Sequence, residues 1–274
     1  MSNTPIPGVP LTLTGRTALI SGGSRGIGAA TVRLFRQAGA RVAFSYRAAR
    51  AEAEALSAEL GGPTHCLALQ QSLTTPEDGQ ALVARTLAAF GDLDILIVNH
   101  GVWPDDAPAA EITPARWRNT LATNLDSAFG LVQAAAAHML TRPSPAENAA
   151  GPIEAPRGHI VLVASAAGQR GDPFHADYAA SKGALISLTK TLSAELAPQA
   201  IYCNCVAPGW VTTDMSASAF ATPALAARNL GPIPLGRPAH LHEVAGPILF
   251  LCTPIAGFIS GEILNANGGG VLIG

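Results

Sequence analysis

Short β-rich runs alternate with longer helical patterns along nearly the whole chain, and this alternation restricts the fold more than any other feature of the sequence. Arg16–Ser21, Arg41–Tyr46, Thr64–Leu69, Asp94–Val98, His159–Ala164 and Ile201–Ala207 read as strands, with a short seventh at Glu262–Ala266. Between them, Gly26–Ala38 reads as a helix stopped by Gly39, and Ala48–Leu60 as one ending at Gly61-Gly62-Pro63. Thr75-Pro76-Glu77-Asp78 supplies a capping hydroxyl, a first-turn proline and acids at the positive helix end, so a helix runs from there to Phe90. Thr113-Pro114 opens another that reaches about Leu140, and Asp177–Leu196 forms a further one. Strand, helix, strand in repetition means parallel strands joined by right-handed crossovers. Ile95–Val98 and Ile160–Val163 are apolar at every position, as strands are when helices cover both faces of a sheet. The expected architecture is α/β: a doubly wound parallel sheet of about seven strands with helices on both faces. The 274 residues fit a single domain, since one core stops growing near roughly 250–300 residues. Residues 1–13 read as a flexible arm and 14–274 as the domain. Within it, 142–158 is expected to be an exposed loop and 212–235 a long connection over a substrate site.

The charge pattern removes several function classes. The net charge is −2, Lys and Arg form no run, and so no nucleic-acid partner is expected. The N-terminus lacks the basic and apolar regions of a signal peptide. Val244–Ile263 is apolar but carries Pro247 and Pro254, which favours a core helix, a turn and a strand over a membrane span. Cys66, Cys203, Cys205 and Cys252 have no metal-ligand spacing and read as buried thiols of a reducing compartment, so a cytoplasmic location and no metal are expected.

Ser21-Gly22-Gly23-Ser24-Arg25-Gly26-Ile27-Gly28 joins the first strand to the first helix. Glycines at such a junction allow a tight turn, bring backbone N–H groups close to a pyrophosphate and set it on the positive end of the helix. The turn is therefore expected to be the dinucleotide site of a Rossmann-type sheet rather than an ordinary Gly-rich turn. The second strand ends Phe44-Ser45-Tyr46-Arg47 without an acid. A carboxylate there would suit the ribose hydroxyls of NAD, whereas Arg47, with Arg25 as a second cation, suits the 2′-phosphate of NADP(H).

Tyr178 and Lys182 stand four residues apart on a helix, hence on one face and about 5–6 Å apart at Cβ. A nearby cation favours phenolate, so the pair has the physics of a tuned proton donor and acceptor. Ser165 ends the fifth strand, thirteen residues earlier, where open α/β sheets build their sites. Asn124 places an amide within an apolar helix, which is costly unless bonded.

Together these residues resemble the short-chain dehydrogenase/reductase family over about Leu13 to Gly270. The glycine turn is similar to the family's Thr-Gly-x-x-x-Gly-x-Gly, with Ser21 in place of Thr, and Asn124, Ser165, Tyr178 and Lys182 match its tetrad in identity, order and spacing. The resemblance implies that Tyr178 exchanges a proton with the substrate oxygen and Ser165 holds that oxygen. It implies that Lys182 bonds the nicotinamide ribose and lowers the Tyr178 pKa, while Asn124 steadies Lys182 through water. It further implies cofactor contacts from Gly22, Ser24, Arg25, Gly26, Ile27 and Gly28, then from Tyr46, Arg47, Ser72 and Leu73. Asn99, Gly101, Pro208, Gly209, Val211 and Thr213 complete that set, alongside Tyr178 and Lys182.

The chain departs from the family in three places. Asn-Asn-Ala-Gly becomes Val98-Asn99-His100-Gly101, with His100 either a titrating group or a packing partner; Ser72 stands where an Asp is usual; Arg142–Gly158 is long. Trp103, Phe174, His175, Trp210, Met215 and Phe220 are candidate pocket walls, with little fixed charge.

The resemblance favours 3-oxoacyl-carrier-protein reductases. A partner acyl carrier protein would want a basic rim, which is not evident, so a small free ketone, alcohol or sugar stands beside the thioester as substrate. A catalytically silent NADP(H)-binding regulator is the reading from another class, and a nicotinamide-free lyase or dehalogenase on the same fold a more distant one. A homotetramer is expected through the helices that begin at Thr113 and Asp177, with Ala134–Ala137 permitting close packing.

Overall fold

The computed structural model describes residues 11–143 and 156–272. One parallel sheet forms its centre, built from β1 (Thr17–Ile20), β2 (Arg41–Tyr46), β3 (Cys66–Gln70), β4 (Ile95–Val98), β5 (Gly158–Val163), β6 (Ile201–Pro208) and β7 (Ile263–Ala266). The strand order is β3-β2-β1-β4-β5-β6-β7. It reverses between β1 and β4, so a crevice opens at the C-terminal ends of those two strands.

The period-2 alternation of each strand divides the core. Ala18, Ile20, Ile95 and Ile97 face a cluster with Val32 and Phe35 of α1 (Gly26–Gln37), Ala53 and Leu56 of α2 (Arg50–Glu59), and Val244 and Ile248 of α9 (Leu241–Phe250). Leu19, Leu96 and Val98 face the other side. There they meet α3 (Pro76–Phe90), α5 (Ser127–Leu140) and α7 (Ala176–Leu196) through Leu82, Leu131 and Leu185. The α3 start is as the sequence dictates: Thr75 accepts from the Asp78 amide, Asp78 answers the cap, and Gly91 closes the helix at φ +78°. Against this start, α5 approaches so closely that a Cβ on Gly130 would lie 1.9 Å from the Pro76 carbonyl oxygen.

The structure differs from the sequence reading in five places. The long helix after Thr113 is α4 (Pro114–Leu121), then one π turn (Ala122–Asp126), then α5. A short α6 (Ala166–Arg170) follows β5. The 212–235 connection folds into a 3-10 turn (Asp214–Phe220) and α8 (Pro223–Leu230), the latter opened by Thr222 as cap and Pro223 at the first turn. Leu13, the last residue of the expected loose arm, is buried and its amide bonds the Ala38 carbonyl at 2.7 Å. Ala135 and Ala136 point into the chain's own core rather than outward. Residues 1–10 and 144–155, which hold most of the expected arm and exposed loop, lie outside the described residues.

No helix among the described residues is long and apolar enough to cross a membrane. All four cysteines are buried, and burial pushes the thiols of Cys66 and Cys205 up to about 11.

Candidate active site

The crevice at the switch point is a cleft of about 850 Å³. Its first segment is the glycine turn. Gly22 and Gly26 adopt φ of +66° and +56°, the left-handed region open to glycine. Ser45 holds the turn from below: its hydroxyl accepts from the Gly22 amide at 3.0 Å and its carbonyl from the Gly23 amide at 2.8 Å. A Cβ on Gly28 would sit 2.0 Å from the Gly22 carbonyl oxygen, so only glycine lets helix and turn close up. The α1 N-terminus has no side-chain cap and no acid in its first turn. Its amides are therefore free to take an anion, and a dinucleotide pyrophosphate fits that donor set.

Gly22, Ser24, Arg25, Gly26, Ile27 and Gly28 all line the cleft. Tyr46, Arg47, Ser72 and Leu73 line the end of the cleft beyond β2 and β3. Among the lining residues that the sequence reading did not assign here are Ser45 and Glu52, the latter a carboxylate of α2 that shares this end with Arg47. Arg25 is not free: its guanidinium lies 3.9 Å from Asp214 across the cleft mouth, an exposed pair of small energetic weight.

At the other end, the Asn99 amide donates to the Ser21 and Gly22 carbonyls at 3.2 and 3.1 Å, tying β4 to the turn. Gly101, Pro208, Gly209, Val211 and Thr213 complete this part of the lining. Thr213 caps the 3-10 turn by accepting from the Ser216 amide at 3.2 Å.

Asn124, Ser165, Tyr178 and Lys182 come together by four local devices. The π turn widens the helix at Asn124, whose Oδ1 accepts from the Val102 amide at 2.8 Å. Its Nδ2 donates to the Val102 carbonyl and the Ser181 hydroxyl, both at 3.0 Å. The amide is thus fully bonded within a buried site, which answers its cost. Ser165 caps α6, accepting from the Ala167 amide at 3.1 Å and leaving its own proton to donate into the cleft. Tyr178 stands on the first turn of α7, which is pinned to α4 by buried Asp177: its carboxylate accepts from Arg116 at 2.9 and 3.2 Å and from the Thr120 hydroxyl at 2.8 Å. Lys182 is buried, donates to the Val163 carbonyl at 2.9 Å, and sits 5.9 Å from the centre of the Tyr178 ring. Ser165, Tyr178 and Lys182 line the cleft; Asn124 stands behind them.

The electrostatics differ from the sequence expectation. Burial raises the Tyr178 phenol above its ordinary value; Ser165 counters this in part and the Asp172 charge adds to it. The Lys182 ammonium is turned to the Val163 carbonyl, and burial outweighs any help it gives the phenolate. Burial instead pushes Lys182 down to about 8. A group so depressed carries its charge below that pH and loses it above. The kcat/KM for the cofactor, which reads groups of the free enzyme, is expected to fall as pH rises through about 8. A profile with no inflection at about pH 8 would show that burial does not set the charge of Lys182 in this way.

Of the expected pocket walls, Trp103, Trp210 and Met215 line the cleft. His175 stacks behind Trp103 at 4.7 Å, and Phe220 packs edge-on behind Trp210 at 5.5 Å. Phe174 is half exposed, outside the lining, at φ +69°. The pocket also carries charge that the sequence reading did not foresee: Arg170 and Asp172, delivered by the unexpected α6 and the Gly171 bend after it. Asp172 is raised, mainly by burial. No group of three or more His, Cys, Asp or Glu that could hold a metal occurs among the described residues.

A family model described as enoyl-(acyl carrier protein) reductase matches residues 22–270. The chain is 34% identical over 264 residues to a 3-oxoacyl-[acyl-carrier-protein] reductase of Synechocystis sp., spanning 95% of this chain and 98% of that one. A crystal structure of a short-chain dehydrogenase/reductase, glucose/ribitol dehydrogenase, from Brucella melitensis matches with a TM-score of 0.83 at 31% identity, covering 95% and 98%. A 3-ketoacyl-(acyl-carrier-protein) reductase from the same organism, complexed with NADH, matches with a TM-score of 0.84 at 29% identity, covering 95% and 100%. By sequence and by fold alike, the chain belongs to the short-chain dehydrogenase/reductase family and is an NAD(P)-dependent oxidoreductase acting on CH–OH or C=O groups.

Proposed function

We propose that the chain is an NADP(H)-dependent reductase of a carbonyl compound, with Tyr178 as proton donor, acting on a 3-oxoacyl thioester or a small free ketone. One observation carries the reading: Tyr178, Ser165 and Lys182 line the same cleft whose far end offers Arg47 and uncapped helix amides. The nicotinamide, when bound, supplies or accepts the hydride. The protein's part is positioning and proton transfer. The Ser165 hydroxyl donates to the substrate oxygen, and the raised Tyr178 phenol holds its proton at neutral pH until that oxygen takes it. The Lys182 ammonium orients the ribose side of the cleft, and Asn124 fixes the Val102 backbone beside it. Trp103 and Trp210 exclude water from the reacting end.

Arg47 is the basis for choosing NADP(H) over NAD(H). The relatives named as 3-oxoacyl reductases support a thioester, which an acyl carrier protein would deliver. Asp172 favours the second reading. Its partly buried carboxylate lies 3.4 Å from the His175 Nδ1 and takes a hydrogen bond from Trp103, and its remaining lone pairs suit hydroxyl donors, which a sugar-like ketone has and an acyl chain lacks. The groove between α5 and α7, lined by Leu125, Phe129, Ala184 and Leu188, supports a homotetramer, and four buried, unpaired thiols suit a reducing cytoplasm.

A panel assay of NADPH consumption tests this. Turnover is expected with 3-oxoacyl thioesters of coenzyme A or carrier protein, or with polyhydroxy ketones. Binding of NADPH with no turnover on any carbonyl would replace the reading with a silent regulator. A monomer by light scattering would remove the tetramer.

A further inference from the structure

His100 follows β4, and both of its ring nitrogens are engaged. Nδ1 lies 2.7 Å from the Ser21 hydroxyl at the end of β1, and Nε2 lies 2.8 Å from the Ser127 hydroxyl at the start of α5. Hydrogen-bond counting fixes the protons. Ser127 has one hydroxyl proton, and it goes to the Thr123 carbonyl at 3.0 Å, one turn back. Nε2 must therefore donate to Ser127. In a neutral ring Nδ1 is then the acceptor, and takes the Ser21 proton in preference to the Ile97 carbonyl at 3.3 Å, which already accepts the Ser21 amide at 2.9 Å. The Ser21 oxygen accepts from the Asn99 and His100 amides at 3.0 and 3.3 Å, and so is filled. A second ring proton would press a third donor onto that oxygen. Burial and the Lys182 charge act in the same sense, holding the ring down to about 3.

The backbone around the ring has no slack. A Cβ on Gly22 would lie 3.0 Å from the His100 Cα. One on Gly101 would lie 3.2 Å from the Asn124 Oδ1 and 3.4 Å from the Lys182 Nζ. His100-Gly101 is thus wedged between the phosphate turn on one side and two of the tetrad residues on the other.

We propose that His100 is a positioning residue, a neutral Nε2–H imidazole that braces the glycine turn against the π turn and α5 and so keeps the dinucleotide cradle in register with Asn124 and Lys182. Its consequence for the cofactor rests on the NADP(H) reading above; the brace itself does not.

Ring nitrogen NMR on the whole protein tests the brace directly. One protonated nitrogen, Nε2, is expected from about pH 8 to about pH 5, a range that spans the ordinary imidazole value. A ring protonated on both nitrogens at about pH 6, or on Nδ1 alone, would overturn the proposal. His100→Leu fills the space without polar atoms, and His100→Gln restores one donor and one acceptor. His100→Leu is expected to raise the NADPH Kd about tenfold, the worth of one or two net hydrogen bonds, and to lower kcat. His100→Gln is expected to recover most of both. A His100→Leu protein equal to wild type in Kd and kcat would overturn the brace as well. Wild-type protein that binds no NADPH would overturn the nicotinamide reading instead, with the NMR result standing apart from it.

Discussion

Tyr178→Phe is expected to cut turnover by about 10³-fold, the usual worth of a positioned proton donor, while the NADPH Kd changes by less than about threefold. The change removes one oxygen. The ring stays packed on α7 and the Lys182 ammonium keeps its bond to the Val163 carbonyl, so the cradle for the cofactor is undisturbed. What is lost is the proton that burial holds on the phenol at neutral pH. Water cannot easily replace it, because Trp103 and Trp210 wall the reacting end. Rapid-mixing measurement of NADPH oxidation with the best substrate of the panel, alongside calorimetric binding, separates the two quantities. A residual rate within about tenfold of wild type would assign the proton to another group.

Arg47→Asp is expected to shift the ratio of kcat/KM for NADPH over NADH by about a hundredfold toward NADH. A charge-assisted bond to a phosphate is worth about 1.5–3 kcal/mol, and the new carboxylate repels the same group. Nothing nearby offers a ready substitute. Glu52 already contributes a negative charge at this end, and Arg25 is drawn toward Asp214. Separate Kd values for the two cofactors provide the check, with NADPH weakened and NADH improved or unchanged. Equal weakening of both would mean that Arg47 supports the adenosine in general and does not read the phosphate.

The strands were legible because they are rich in apolar and β-branched residues bounded by Gly, Pro or polar residues, even where Asn204 and Asn265 interrupt β6 and β7; β4 and β6 fall within a residue or two of their sequence limits. Ser165 at a strand end and Tyr178 with Lys182 on one helix face were legible as placed polar groups, and Asn124 joined them through the resemblance to the family. Other features leave weaker marks. The π turn over Ala122–Asp126 has no compositional signature, since one extra residue per turn is decided by what Asn124 bonds and not by propensity. α6 is five residues long, too short for a periodic pattern. α8 could have been found: Thr222-Pro223 repeats the cap-and-proline signal read at Thr75-Pro76 and Thr113-Pro114. Phe174 and His175 could not be sorted into wall and backing, because the positive φ at Phe174 turns its ring outward.

Insertion and deletion tolerance around residue 124 follows from the widened turn. Dropping one residue between 122 and 126 would let α4 and α5 merge into one regular helix with better internal bonding. Every side chain beyond the splice would then swing by about 100° about the axis. Gly130 would rotate away from Pro76 and a bulkier neighbour would meet that carbonyl, while the Asn124 amide would leave the Val102 backbone. The irregularity is therefore locked in from both ends. Evolution of this chain can trade residues within that stretch but cannot change its length without unseating the α3–α5 packing and the catalytic end together.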